Sequence, residues 1–207
     1  MMSARASSGT SAQRPLASQK ALRIIEAMRS SVARRGSVGS TFDRVASEAG
    51  VSKGLLHYYF GTKEHLLVET VRHDCELRLQ RLERQLADAR TADDFIDLMA
   101  LSLERTLQRE PDFVTLVFEL FTLARRNREI AAEYAARQRR MREHLGGMLA
   151  EAQSNGVLHL HADPEAVAEI LFSLGDGFAL RMLAEPQRDF SATVRAGIAC
   201  ARALLVD

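Results

Sequence analysis

The sequence predicts an all-α protein with a small N-terminal head and a larger helical body. Apolar residues recur three and four positions apart in nine successive segments, which is the spacing of one helix face. Several segments begin at a residue that caps helices, such as Thr41, Thr62 or Thr91, and end at Gly or before Pro. With 207 residues and 46% hydrophobic content, the chain can bury one large core or two smaller ones, and two fit the pattern better.

The charge is divided unevenly along the chain. The net charge is only +1, but residues 1–63 carry ten Lys or Arg and three acidic residues, a net of +7. The remainder therefore carries 18 basic and 24 acidic residues, a net of −6. A basic head can bind phosphate groups with salt-sensitive affinity, whereas an acidic body stays away from them. The distribution favours a nucleic acid as the partner of the head.

Cysteine usage and hydropathy argue against several other classes of protein. Cys75 and Cys200 lie far apart, without a CxxC motif or a His at metal-ligand spacing, so both are interpreted as reduced core thiols and no cofactor is expected. No apolar run follows Arg5 and Arg14, and no stretch approaches the length of a membrane span. The sequence therefore predicts a cytoplasmic protein.

The first 16 residues are predicted to be a disordered basic tail, because Ser, Ala and Arg dominate them. Arg5 and Arg14 could alternatively form an arm that reaches a minor groove. A first helix follows from about Ser18 to Arg35, and Gly36 ends it. Its apolar stripe consists of Leu22, Ile25, Met28 and Val32.

The stretch from Thr41 to Lys63 has the pattern of two short helices joined by a tight turn. Thr41 is placed to cap the first helix, Gly50 can take the left-handed conformation that ends it, and Ser52 is placed to cap the second. The buried stripes are Phe42, Val45, Ala46 and Ala49 in the first helix and Leu56 and Phe60 in the second. With the preceding helix, this stretch predicts a helix-turn-helix.

The opposite face of the second short helix is predicted to contact DNA. Lys53 can donate to guanine, Leu55 can touch a thymine methyl group, and Gly54 lets the backbone approach closely. Residues placed to reach phosphates are Arg44, His57, Tyr58, Tyr59 and Lys63. The two caps, Thr41 and Ser52, complete the predicted DNA-binding set. Two alternatives stay open: Tyr59 as a core residue and His57 as a solvated surface histidine.

The segment AGVSKGLLHYYFGTKEHLL closely resembles the end of the DNA-binding domain of TetR-family regulators, and RIIEAMRSSVARRG resembles the family's first helix. The resemblance implies a DNA-binding domain at residues 17–77 and a helical effector-binding and dimerisation domain at 78–207. Two positions depart from the family pattern. Ser37 stands where an aromatic residue is usual, and Asp43 stands where some members have a base-contacting Arg, so no base contact is assigned to Asp43.

Six further helices are predicted after the helix-turn-helix. The first, from Thr62 to about Arg90, has no internal breaker, and in the family this fourth helix joins the head to the body. The resemblance therefore implies that a tilt of this helix at its body end also moves its head end. The remaining helices are predicted over Thr91–Arg109, Asp112 to about Arg126, Glu129 to about Gln153, Asp163 to just before Pro186, and about Ser191 to Val206.

The body is predicted to hold a pocket for a small, largely apolar effector. Its expected lining is Cys75, Phe95, Met99, Phe113, Val117, Glu119, Phe121 and Asp176. Glu119 either enters this pocket to pair with a ligand or belongs, with Thr115 and Thr122, to a thin solvent-facing stripe. Asp176 either binds the ligand or is a satisfied polar group at a dimer seam.

The last two helices are apolar on more than one face, which predicts a partner chain. In TetR-family proteins these helices pair across a two-fold axis, and Gly175 and Gly177 would permit close approach. The predicted interface is Val167, Ile170, Leu171, Leu174, Phe178, Val194, Ile198 and Leu205. A two-fold dimer presents two recognition helices, which predicts a palindromic operator.

The leading hypothesis is a repressor that leaves a palindromic operator on double-stranded DNA when an effector binds. One alternative is a constitutive or architectural DNA-binding protein with a solid body. Another is a helical-bundle enzyme, but HExxH, ExxH and phosphate-binding Gly-rich motifs are absent from the sequence. His159 and His161 could contribute to a metal site, although no third ligand is evident.

Overall fold

The computed structural model describes residues 18–206, and within that range the chain forms nine helices and no strands. The all-α prediction is confirmed. The predicted tail, with Arg5 and Arg14, lies outside the described residues. The helices are α1 (Gln19–Gly39), α2 (Phe42–Ala49), α3 (Lys53–Phe60), α4 (Lys63–Leu86), α5 (Ala92–Arg109), α6 (Pro111–Ala124), α7 (Arg128–Ser154), α8 (Pro164–Ala184) and α9 (Ser191–Leu205).

Short polar side chains fix most helix starts. The hydroxyls of Thr41 and Thr62 accept the backbone N–H three residues later, at 3.4 and 3.1 Å. Thr91 and Asp94 form a complete capping box at the start of α5. Ser52 differs from the prediction that its side chain caps α3. It occupies the N-cap position, but its side chain makes no capping hydrogen bond. The amides at the start of α3 are therefore not capped by that side chain.

Helix α1 is interrupted at Gly36, where the sequence predicts its end. Gly36 has φ of 69°, a conformation that side chains with a Cβ rarely adopt, and a short further turn continues to Gly39. Arg29, earlier in α1, donates from Nε to the buried carboxylate of Asp74 on α4, at 2.7 Å. This ion pair fastens α1 to the fourth helix.

Two apolar cores divide the molecule. The first contains α1, α2, α3 and the N-terminal half of α4, and it also includes Leu116 and Leu120 of α6 and Ile130 of α7. The second lies among the end of α4, α5, the end of α7, α8 and α9. The core of the head therefore extends beyond the predicted domain 17–77, since α6 and α7 complete it.

Close helix packing in the body occurs at glycines other than those expected. A Cβ on Gly146 of α7 would lie 2.9 Å from Cγ of Glu165, and a Cβ on Gly197 of α9 would lie 2.5 Å from Cζ of Phe178. Gly175 has ordinary space, and a Cβ on Gly177 would meet nothing within 4 Å. Within one chain, neither predicted glycine is required for close approach. None of the helices in residues 18–206 is long and apolar enough to cross a membrane.

Candidate functional site

The outer face of α3 is exposed beside the core of the head. Leu56 and Phe60 are buried, whereas Lys53 and Gly54 are exposed and Tyr58 keeps 54% of its surface accessible. Because the apolar stripe holds the helix from one side, the first turn and Tyr58 project from the other. This arrangement can present a helix to a major groove.

Lys53, at the start of this face, is paired within the chain. Its Nζ donates to Oδ2 of Asp43 on α2 at 2.9 Å, and both side chains are at least half exposed. The residue that departs from the family pattern thus holds the lysine predicted to contact bases. An exposed pair of this kind contributes little to stability, about 0.2–1 kcal/mol, so DNA phosphates can compete with it.

Several of the other predicted DNA-binding residues also have partners in the head. Nδ1 of His57 lies 3.0 Å from the Gly61 carbonyl, and its ring packs edge-on against Phe42, with centroids 4.8 Å apart. Tyr59 is half-buried and its hydroxyl accepts from Ser18, at 3.1 Å. The structure therefore places Tyr59 towards the core, while His57 stays exposed.

Two basic side chains near the helix-turn-helix bond to backbone carbonyls. Arg44 donates from Nη1 to the Gly39 carbonyl at 2.9 Å and is exposed. Lys63 is half-buried and donates from Nζ to the Ser37 carbonyl, also at 2.9 Å. Arg44 and Thr41 lie on the surface beside α3, whereas Lys63 closes the end of α1.

Ser37 links the head to the body. Its side chain is buried, and its hydroxyl donates to Oε2 of Glu119 on α6 at 2.5 Å, the short distance of a charge-assisted hydrogen bond. Oε1 of the same carboxylate lies 3.1 Å from the position that a Cβ on Gly36 would occupy. The unusual serine therefore has a specific partner on α6.

The body contains a partly open cavity of about 250 Å³ between α4, α5, α6, α7, α8 and α9. Most of its lining is apolar, with four phenylalanines. Five of the eight predicted lining residues border it: Cys75, Met99, Phe113, Val117 and Asp176. Such a lining, with few polar groups, is typical of a small-molecule site.

The structure corrects the other three lining residues. Phe95 is fully buried in the second core, where it packs without reaching the cavity. Phe121 is 45% exposed and packs against Tyr134, with ring centroids 5.8 Å apart. Glu119 points to the head instead, because its carboxylate accepts from Ser37. These residues lie on faces of α5 and α6 that turn away from the cavity.

Two arginines border the cavity that the sequence interpretation leaves out. Arg78 stacks on Phe113, with its guanidinium carbon 3.6 Å from the ring centroid, and forms an ion pair with Glu110. Burial lowers the pKa of Arg78. Arg137 donates from Nε to Sγ of Cys75 at 3.2 Å.

Helical spacing does contain a signal for Arg137. Tyr134, Arg137, Met141 and Leu145 follow one another at three- and four-residue intervals along α7, which puts the arginine on the helix's inner face. The effector lining predicted from the sequence omits this position. Among residues 18–206, no group of three or more His, Cys, Asp or Glu side chains could hold a metal ion.

The predicted dimer residues mostly face inwards. Val167 is fully buried, and six others line the cavity: Leu171, Leu174, Phe178, Val194, Ile198 and Leu205. Of the eight, Ile170 is the one exposed outwards, at 46%. Both helices are apolar on several sides, so most of the predicted interface residues also border the cavity. The large apolar residues exposed on α8 are Ile170, Leu180 and Leu183.

Comparisons with known proteins agree with this architecture in both halves. A family model described as "Bacterial regulatory proteins, tetR family" matches residues 24–70. A second, described as "BetI-type transcriptional repressor, C-terminal", matches residues 94–205. The HTH-type transcriptional regulator BetI of Rhizobium meliloti (strain 1021) is 28% identical over 160 residues, 76% of this chain and 75% of that protein.

A second relative matches over a shorter stretch, and solved structures match nearly the whole chain. BetI of Agrobacterium fabrum is 43% identical over 49 residues, 24% of each chain. A protein described as a transcriptional regulator from Saccharomonospora viridis, in complex with choline, has a TM-score of 0.72 at 22% identity, covering 90% of this chain and 97% of that one. FadR from Bacillus subtilis, in complex with stearoyl-CoA, has a TM-score of 0.72 at 20% identity, with coverages of 87% and 98%.

The structural matches establish the fold, and the two family models together span the head and most of the body. The chain therefore belongs to the TetR family of DNA-binding transcriptional regulators, with a C-terminal domain of the BetI type.

Proposed function

We propose that this regulator binds a palindromic operator as a homodimer and leaves it when a small, largely apolar molecule enters the cavity of the body. The first turn of α3, with Lys53 and Gly54, reads bases, and Tyr58 contacts the DNA backbone. Thr41 and Arg44 add contacts beside it. The residues assigned to DNA binding follow from the exposed face of the helix-turn-helix.

The observation that carries the proposal is that α4 and α6, like α7, border both the cavity and the core of the head. On α4, Leu67 and Val71 lie in the head's core, while Leu79 and Leu82 line the cavity. On α6, Leu120 lies in the head's core, while Val117 and Phe118 line the cavity. A ligand that moves α4 or α6 must also change the position of the head, because no flexible linker separates the head from the body.

An effector can shift the protein only if it binds the two conformations with different affinity. A cavity bordered by α4 and α6 meets this requirement when the two helices lie differently in the operator-bound and free states. The complexes of the S. viridis protein with choline and of B. subtilis FadR with stearoyl-CoA support the view that this fold accommodates ligands. The cavity disfavours the alternative of a constitutive protein with a solid body.

In the proposed homodimer, the outward face of α8 forms the contact between the two chains. Ile170, Ser173, Gly177 and Leu180 recur at three- and four-residue spacing and are all exposed. Small residues at 173 and 177 leave room for a partner helix between the two larger ones. A two-fold axis beside this face would present two copies of α3 to successive half-sites.

The test is DNA binding by the full chain to genomic fragments, including the DNA beside its own gene, at two salt concentrations. We expect one palindromic fragment to bind two chains tightly and the Lys53→Ala, Tyr58→Ala variant to lose it. Losing one lysine contact should also lower the salt slope by about one. The matched control is Arg139→Ala, which removes an exposed charge from α7. Binding that ignores sequence and is unchanged in the double variant would contradict the proposal.

A further inference from the structure

The cavity is bordered by a cation, Arg137, whose hydrogen-bond partners are neutral. Arg137 donates to the sulfur of Cys75 at 3.2 Å and to Oε1 of Gln138 at 2.9 Å, and its guanidinium carbon lies 5.7 Å from the Tyr134 ring centroid. Burial raises the pKa of the Cys75 thiol, so this sulfur is a neutral acceptor at neutral pH. No carboxylate in residues 18–206 lies within 4.0 Å of the Arg137 guanidinium.

The second arginine of the cavity provides the contrast. Arg78 forms an ion pair with Glu110, donates to the Asp74 carbonyl at 3.0 Å and covers the Phe113 ring. Its charge is therefore balanced by the protein. The Phe113 face that could hold a ligand cation is also occupied, because the Arg78 guanidinium lies 3.6 Å from its centroid.

The acidic group that borders the cavity does not cancel the charge of Arg137. Asp176 of α8 forms no ion pair with Arg137 within 4.0 Å. Desolvation raises the pKa of its carboxyl, and the charge of Arg137 partly opposes this rise. Glu119, which the sequence offers as a partner for a cationic ligand, bonds to Ser37 outside the cavity. A half-buried guanidinium whose hydrogen-bond partners are neutral can accept an anion without first breaking an internal ion pair.

We infer that the effector is an amphiphile with an anionic group, most simply a carboxylate, that binds Arg137 while its apolar part fills the space lined by Met99, Phe118 and Phe172. This inference rests on the proposed function, since it names the class of ligand for the same cavity. A planar guanidinium can hold a carboxylate through two parallel hydrogen bonds. The head-group charge is opposite to that of choline, the ligand of the S. viridis protein.

The size of the cavity limits the length of the effector's apolar part. About 250 Å³ lies just below the usual range of small-molecule sites, which begins near 300 Å³. An eight-carbon chain is therefore a suitable probe, and three such compounds differ mainly in head group: sodium octanoate, 1-octanol and octyltrimethylammonium chloride. Their affinities separate the contribution of charge from that of the apolar chain.

The experiment is calorimetric titration of the full chain with each of the three compounds, for the wild type, Arg137→Gln, Arg137→Lys and the exposed-site control Arg139→Gln. We expect wild type and Arg139→Gln to bind octanoate at least about tenfold more tightly than the other two compounds. Arg137→Gln should bind octanoate no better than octanol, and Arg137→Lys should recover part of the preference. Should Arg137→Gln fail to fold, the wild-type series still measures the preference.

Three results would overturn the inference: binding of none of the compounds, equal or tighter binding of the quaternary ammonium, or an octanoate preference that persists in folded Arg137→Gln. Operator binding is measured on the same samples. A wild type that binds its operator but shows no anion preference overturns the anionic effector alone. A wild type that binds no DNA overturns the proposed function.

Discussion

At the scale of single residues, Asp43 and Lys53 govern the charge that the head presents to DNA. Their 2.9 Å ion pair is exposed, so it adds little to stability but places a carboxylate beside the predicted reading face. In the proposed complex, Lys53 turns to a base or a phosphate, which would leave Asp43 unpaired and repelling the DNA. The pair therefore restrains affinity more than it stabilises the fold.

Replacing Asp43 with Asn should strengthen DNA binding. We expect affinity for both operator and unrelated duplex to rise roughly fivefold at 50 mM salt and less at 200 mM, because the gain is electrostatic. The unfolding midpoint should hardly change. Fluorescence anisotropy with two labelled duplexes measures the effect, and Glu151→Gln, an exposed change on the body, is the matched control. Unchanged or weaker binding would show that the pair does not restrain Lys53.

Gly197 offers a second test at this scale. A Cβ there would lie 2.5 Å from Cζ and 2.7 Å from Cε2 of Phe178, so Gly197→Ala must push that ring, which borders the cavity. We expect a loss of about 1–3 kcal/mol in the free energy of unfolding, measured with urea. The control is Gly147→Ala, whose Cβ would meet nothing within 4 Å and should stabilise α7 by about 0.5–1 kcal/mol. Equal effects of the two changes would contradict the packing described here.

The two charged residues Glu119 and Arg137 show what an interpretation of the site from sequence can and cannot reach. Arg137 lies at helical spacing from Tyr134 and Met141, so its inward direction could be predicted from α7 alone. Glu119 could not be placed in the same way, because its partner Ser37 is 82 positions away in the sequence. Local periodicity indicates on which face of its helix a side chain lies, whereas its hydrogen-bond partner depends on how the helices are arranged.

At the scale of the elements, α6 connects the cavity to the head as directly as α4 does. Val117 and Phe118 border the cavity, Leu116 and Leu120 pack in the core of the head, and Glu119 bonds to the end of α1. The family resemblance implies transmission through the fourth helix. The packing of α6 adds a second route.

The Glu119 to Ser37 hydrogen bond should couple α6 energetically to α1. We expect Glu119→Gln and Ser37→Ala each to lower the free energy of unfolding by about 1.5–3 kcal/mol, the range for hydrogen bonds to charged groups. The double variant should lose less than the sum, with a coupling energy of at least about 1 kcal/mol. Chemical unfolding of the four proteins gives this value. Strictly additive losses would mean that the two side chains act independently.

Helix boundaries were largely accessible from sequence, since capping is local. The end of α4 is an exception: the predicted limit is Arg90, but the helix ends at Leu86. The reason is the next capping box, because Asp94 accepts from the backbone N–H groups of Arg90 at 3.1 Å and Thr91 at 3.0 Å. Residues committed to the start of α5 cannot continue α4.

At the scale of the whole molecule, the assembly depends on which apolar face of α8 meets its own chain. The sequence shows that α8 is apolar on more than one face, but spacing cannot distinguish the side that borders the cavity from the side left for a partner. The structure makes this distinction: Leu171 and Leu174 border the cavity, while Ile170, Leu180 and Leu183 are exposed. A charge on the outward side should therefore disturb assembly and leave the body intact.

Leu180→Glu tests the proposed homodimer through assembly and DNA binding together. Leu180 is 55% exposed in the single chain, so the change should leave the folded monomer intact, with a circular dichroism spectrum like that of the wild type. In a dimer, the two-fold axis would bring two such carboxylates close together in an apolar contact, where neither has a partner. We expect light scattering to show a monomer and operator affinity to fall by at least about a hundredfold, because a monomer engages one half-site.

The matched control is Leu77→Glu, a 45% exposed leucine on α4, which should stay dimeric. A dimeric Leu180→Glu with wild-type operator affinity would move the interface away from this face of α8.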